Sequence, residues 1–234
     1  MTEAEWLECR EPESLIWFVR DRRGMVRTKA GRRKLRLFAC ACCRLVWELI
    51  LDEPCRRAVE VTEAIADGTA GKEEHAVARA AATTAAQGRW QTGWDAARLA
   101  PAHQTTILWR AARAAELAAD QQPGLAAGTA GPIIAKDVSP LGHEGEKARH
   151  IGVIRDIFGN PFRPVVFSSS WRTDTAVTLA RQMYESREFG AMPILADALQ
   201  DAGCDNTDIL DHCRDATATH VRGCWVVDLV LGKE

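Results

Sequence analysis

The sequence predicts an all-α fold, about ten packed antiparallel helices with little or no sheet, and three observations support it. Helix start and stop residues bracket most of the chain. Apolar residues recur at spacings of three and four, the period of a helix face. Residues 70–131 are rich in alanine, the best helix former, with Trp90, Trp94 and Trp109 as bulk between closely approaching helices. At 234 residues and 47% hydrophobic content the chain can bury a core of one large or two small domains.

Taken in order, Thr2 with Glu5 forms a capping box that opens a short helix through Trp6 and Leu7. Pro12 suits the first turn of the next, where Leu15, Ile16, Trp17, Phe18 and Val19 make most sides apolar. The polar break RDRRGMVRTKAGRR reads as an exposed loop. From Lys34 to Leu51, Leu35, Phe38, Cys42, Leu45 and Leu49 alternate at three and four, and Ala39, Cys43, Val46 and Ile50 widen the stripe into that of a buried central helix. Asp52 and Pro54 start the following helix and Gly68 stops it. Two or three helices fill the alanine-rich stretch.

The Pro- and Gly-punctuated residues 121–145 read as a loop or linker between an N-terminal helical core, 1–120, and a C-terminal helical subdomain, 146–234. In the latter, EKARHIGVIRDIFG is a helix closed by Gly159 and NPFRPVVF an extended connection. TDTAVTLARQMYESR begins at Thr173 or Asp174, and PILADALQDAG runs from Pro193 to Gly203. Asp205 with Asp208 caps NTDILDHCR, and HVRGCWVVDLVLG finishes as a helix at Gly232.

The charge balance, a net -2 with a pI near 6.3, argues against a general polyelectrolyte binder and leaves recognition to local charge. The acidic start and the lack of a long apolar run predict a soluble cytoplasmic protein with no membrane partner, and the eight cysteines are then expected as reduced thiols.

The stretches MTEAEWLEC, KLRLFACACCR, RDIFGNPFRPV, PILADALQDAGC and HVRGCWVVDLVLGK together resemble a family of uncharacterised planctomycete proteins. The match covers both ends of the chain, and the resemblance implies no activity, substrate or catalytic residue. PILADALQDAGC is also similar to a short helical module found beside leucine-rich repeats, which implies protein interaction.

Three local features bear on chemistry. HCRDATATHVRGCW, residues 212–225, gathers two of six histidines and two of eight cysteines. Cys204, Cys213, His220 and Cys224, with His212 as an alternative ligand, are chemically suited to zinc, and His220 and Cys224 have the spacing of one helix face. The eight residues between Cys204 and Cys213 exceed the usual two to four, and buried apolar packing is the competing explanation. CACC, residues 40–43, contains a C-x-x-C, but in mid-helix within an apolar stripe, where burial makes thiols inert. The stretch from Arg20 to Arg36 sets nine cations against Asp21 alone, and Arg22, Arg23, Arg32, Arg33 and Lys34 are the candidate phosphate or nucleic-acid contacts. The aspartates between Asp197 and Asp215 are an intramolecular alternative partner; they lack the EF-hand spacing and read as caps and a solvated face. Nucleotide-binding, zinc-protease and serine-hydrolase motifs are absent, and the pairs Glu74–His75 and His143–Glu144 read as surface. These features lead to three expectations: a non-enzymatic interaction or regulatory module with a protein partner, a zinc-containing protein, or a nucleic-acid or phosphate binder.

Overall fold

The computed structural model describes residues 1–96, 102–129 and 142–233, and the side chains of 89–109 and 142–144 lie outside the description, Trp90, Trp94, Trp109, His143 and Glu144 among them. Among the described residues the chain is all helix, twelve α-helices with three short 3-10 turns and no strand. It divides into two compact units, Met1–Ile151 and Gly152–Glu234. The division falls within a helix; of the stretch expected as a linker, 123–129 is helical and 130–141 lies outside the described residues.

The first unit opens with α1 (Glu3–Glu8), where Thr2 and Glu5 form the expected reciprocal cap. In α2 (Pro12–Asp21) Leu15, Ile16 and Val19 are buried, whereas Trp17 is 40% exposed. Helix α3 (Lys29–Leu45) begins earlier than its apolar stripe, because Thr28 caps Gly31 N–H (3.1 Å) and arginine and lysine are good helix formers. It also ends earlier. Val46 leaves the helical region, Trp47–Leu49 forms a 3-10 turn, and the Arg56 guanidinium donates to the carbonyls of Ile50 (2.6 Å) and Trp47 (3.3 Å). Cys40, Cys42 and Cys43 are fully buried in α3, and burial pushes the Cys42 and Cys43 thiols well up.

Helix α4 (Glu53–Asp67) starts with Pro54 and stops at Gly68, whose φ of +74° gives the left-handed cap. Two ion pairs tie α4 to α3. Arg44 forks onto Glu63 (3.1 and 2.9 Å) while stacking on Trp47, and the buried Arg33 reaches Asp67 (3.2 Å). Helices α5 (Lys72–Ala96) and α6 (Ala102–Ala118) pack closely on α4, with Ala111, Ala112, Ala114, Ala115 and Ala118 at zero exposure. His75 is not on the surface as expected. It is 5% exposed, with Nε2 3.3 Å from Thr62 Oγ1, while its neighbour Glu74 is exposed and paired with Arg57. Helix α7 (123–129) and the first part of α8 (Gly142–Phe158) complete the unit.

The second unit holds residues 152–158 of α8, then α9 (Asp174–Ser186), α10 (Met192–Asp201), α11 (Thr207–Arg214) and α12 (Trp225–Leu231). Thr173 caps α9 as expected. Asn206 caps α11 through Ile209 N–H (3.1 Å), in place of the expected Asp205 and Asp208, because Asn206 lies three residues before that donor. Met183, Met192, Leu195, Leu199, Ile209, Val226 and Val230 anchor one apolar core. Arg172 donates twice to the Leu229 carbonyl (3.2 and 2.9 Å) and satisfies the end of α12. Among the described residues, no helix is long and apolar enough to cross a membrane.

The Arg33–Asp67 pair gives a stability test of the first unit. Asp67→Ala removes the carboxylate that a buried guanidinium faces, so urea unfolding is expected to show a loss of about 3 kcal/mol. A loss below about 1 kcal/mol, the range of exposed pairs, would show that the pair does not hold α3 on α4.

Candidate metal centre

Four side chains of the second unit converge at one point: Asp156, His212, His220 and Cys224 each offer a ligand atom, all within 4.8 Å of one another. Each arrives for a local reason. Asp156 lies on α8 between Val153, Ile154 and Ile157, all at zero exposure, so its carboxylate is carried inward on an apolar face. Gly159 then ends the helix at φ +63°, and the Trp225 ring sits where a Cβ would meet it at 3.4 Å. Trp225 also packs on the His212 imidazole, centroids 5.2 Å apart. His212 stands in the last turn of α11. Its neighbour Cys213 points roughly 100° away around the helix, into the core.

The loop 215–224 supplies the remaining ligands. Asp215 folds it back by accepting from Thr217 N–H and Oγ1 (2.9 and 2.6 Å), and Gly152 of α8 leaves room for Thr219. His220 is therefore a loop residue rather than a helical partner of Cys224, and Cys224 is the N-cap residue of α12.

The Asp156 carboxylate is the hub. Its Oδ1 is 2.8 Å from His220 Nδ1 and 3.2 Å from His212 Nε2, and its Oδ2 accepts Val221 N–H at 2.8 Å. His212 Nε2 is also 3.3 Å from Cys224 Sγ. Burial alone would raise the Asp156 carboxyl, but hydrogen bonds from His212 and His220 outweigh it and hold the group below its usual range. Burial, and then the Asp156 charge, push the Cys224 thiol well up, so in the absence of a cation it keeps its proton. His220 Nε2 is buried with no hydrogen-bond partner.

Two chemical readings are open to a Cys, His and Asp set, and the atoms separate them. A nucleophilic relay needs the thiol on one imidazole nitrogen and the carboxylate on the other. Here the same nitrogen, His212 Nε2, faces both, so the ring cannot pass a proton along such a chain. Ligand atoms meeting at a point are what a tetrahedral ion requires, with edges of roughly 3.3–3.8 Å for nitrogen, oxygen and sulfur donors. The three shortest separations, 2.8, 3.2 and 3.3 Å, reach those edges by opening about half an ångström, and the remaining pairs, all within 4.8 Å, close by about 1 Å at most.

Of the residues the sequence singles out, the structure brings together His220, Cys224 and the alternative ligand His212, and adds Asp156. Cys204 and Cys213 lie in the apolar core, 3% and 1% exposed, and burial pushes the Cys213 thiol up to about 12. The signal for Asp156 was an acid three residues after buried Val153 on a helix whose Ile154 and Ile157 are also buried, 56 positions before His212. Of the basic stretch, Arg22 and Arg23 are exposed, Arg32 and Lys34 are half-buried on α3, and Arg33 is buried against Asp67. Among the aspartates, Asp197 and Asp208 take Arg214 and Arg163. No family model, curated protein or solved structure matches this chain.

All eight cysteines are free, seven are buried and Cys9 is partly exposed. Titration with an aromatic disulfide reagent at pH 8 is expected to modify one thiol in the native protein and eight after denaturation with chelator. Fast modification of three or more thiols in the native protein would contradict the packing of Cys204, Cys213 and Cys224.

Proposed function

We propose that residues 152–234 form a zinc-binding unit, with Asp156, His212, His220 and Cys224 holding one ion that fixes the 215–224 loop between α11 and α12. The observation that supports this is the convergence of four ligand atoms from α8, α11, the loop and the start of α12. Charge balance favours a divalent ion: one carboxylate and one thiolate neutralise it, and two neutral imidazoles complete the shell, so nothing uncompensated is buried. The mixture of sulfur, nitrogen and oxygen donors suits borderline-soft zinc better than calcium or magnesium, which take oxygen. Four protein ligands leave no position for water, so the ion is structural. His212, with 17% of its side chain exposed, gives the ion a way in.

The test is metal content by mass spectrometry on untagged protein purified without chelator or added zinc. One zinc per chain is expected, and Cys224→Ser or His220→Ala should each reduce it at least tenfold. Cobalt(II) should give a thiolate charge-transfer band in the wild type and none in Cys224→Ser. Saturating zinc should raise the unfolding midpoint of the metal-free protein by roughly 10 °C. A protein that takes up no zinc on reconstitution, and whose midpoint ignores zinc, would overturn the proposal.

A further inference from the structure

Far from these ligands in sequence, the basic stretch between α2 and α3 has a defined shape. Residues 22–28 fold as consecutive turns: Met25 N–H donates to the Arg22 carbonyl (3.1 Å), and Arg27 and Thr28 N–H both donate to that of Gly24 (3.0 and 2.8 Å). The turn is seated directly on the first turn of α3. A Cβ on Gly31 would lie 2.0 Å from the Met25 carbonyl oxygen and 2.7 Å from its Cα, a backbone approach that only glycine permits. Arg32 closes the arrangement from α3 by donating to the Arg27 carbonyl. The cations are therefore gathered on a fixed scaffold rather than strung along a mobile loop.

Ion pairing distinguishes this patch from most arginines of the unit; among the described residues Arg10 and Lys72 also lack a carboxylate, but each stands apart in sequence. Arg33, Arg44, Arg57, Arg79 and Arg113 each have a carboxylate partner. Arg23, Arg27, Lys29, Arg32 and Lys34 have none among the described residues, and Arg23, Arg27 and Lys29 are exposed. Such a cluster repels itself and attracts anions from solution. An aromatic edge borders it: Trp17, 40% exposed, carries the Arg20 guanidinium 3.6 Å above its ring, and Arg22 lies over Phe18. Arginine outnumbers lysine here, which favours the bidentate geometry of phosphate oxygens, and the exposed part of Trp17, with Arg20 over the ring and Gly128 against its benzo edge, is an aromatic surface for an unpaired base.

We propose that the α2–α3 turn binds the phosphate backbone of single-stranded nucleic acid through Arg23, Arg27, Lys29, Arg32 and Lys34, with Trp17 contacting a base. Arg33 takes no part, because Asp67 holds it inside. The site is independent of the metal centre.

The experiment is fluorescence anisotropy of a labelled single-stranded RNA of about 20 nucleotides, a length above the site size of single-strand binders. Five phosphate contacts predict a roughly hundredfold loss of affinity between 50 and 200 mM salt. Combining Arg23→Ala, Arg27→Ala and Lys29→Ala, all exposed positions, should flatten the log–log salt slope by about two units. Trp17→Ala should weaken single-strand binding by about tenfold and leave that slope unchanged. Circular dichroism on each variant separates lost binding from lost folding. Three results would overturn the proposal: no saturable binding at 50 mM salt, a triple variant that binds like the wild type, or duplex binding as tight as single-strand binding with no effect of Trp17→Ala. Displacement of the RNA by polyglutamate or by phosphatidylserine vesicles as readily as by unlabelled RNA would also overturn it, in favour of an acidic protein or a membrane surface.

Discussion

An ionised carboxylate in a protein interior must be met by donors or by a cation, and Asp156 imposes that requirement on the whole C-terminal unit. Its place among Val153, Ile154 and Ile157 leaves 2% of it exposed, so water cannot supply the compensation. Two imidazoles and the Val221 amide do so instead. The 215–224 segment has no helix of its own to fix its path, and its route follows from this demand. It turns at Asp215, passes Gly152 through Thr219, delivers His220 and Val221 to the carboxylate and enters α12 at Cys224.

The same constraint explains why a cation suits the centre better than the hydrogen bonds alone. Those bonds set a thiol that burial keeps protonated beside a negative charge. The proposed divalent ion would replace this polar cluster with one neutral assembly: the thiol would give up its proton, and both negative charges would gain a common counter-charge. Because the ligands come from α8, α11, the loop and α12, the binding energy would be spent on chain closure between elements that sequence separation makes costly to join.

How much of this could be read from the sequence follows from the range of each interaction. Local signals were legible: the Thr2–Glu5 box, the Gly68 and Gly159 stops and the Thr173 cap all involve partners within a few residues. The boundaries of α3 were not, because its start rests on a threonine cap within a polar run and its end on Arg56 reaching back from the next helix. At the candidate centre, residue type and partial spacing pointed to His220 and Cys224, but the expected helical pairing is replaced by a loop residue and the N-cap residue of α12. His212 and Cys213 are adjacent letters on different faces of one turn, and only the tertiary core decides which faces the carboxylate. Asp156 was hidden because its partner is reached through space.

The arginines of α3 show the limit of reading function from charge density alone. Arg32, Arg33 and Lys34 are consecutive cations in the sequence, yet a helix spreads neighbours about 100° apart, so they meet three environments. Arg33 turns inward and fastens α3 to α4 through Asp67, Arg32 folds back onto the Arg27 carbonyl, and Lys34 is half-exposed. Two positions further on, Arg36 is half-buried, its Nε without a partner, and burial followed by repulsion from Arg32 lowers its proton affinity. One stretch of positive charge therefore contains a structural cation, a scaffold cation and unsatisfied ones. Only the structural cation has its charge met by a carboxylate; the scaffold and unsatisfied ones have free energy left to gain from an anion, so the run of cations overstates the number of contacts and the ion-pair pattern identifies which of them remain.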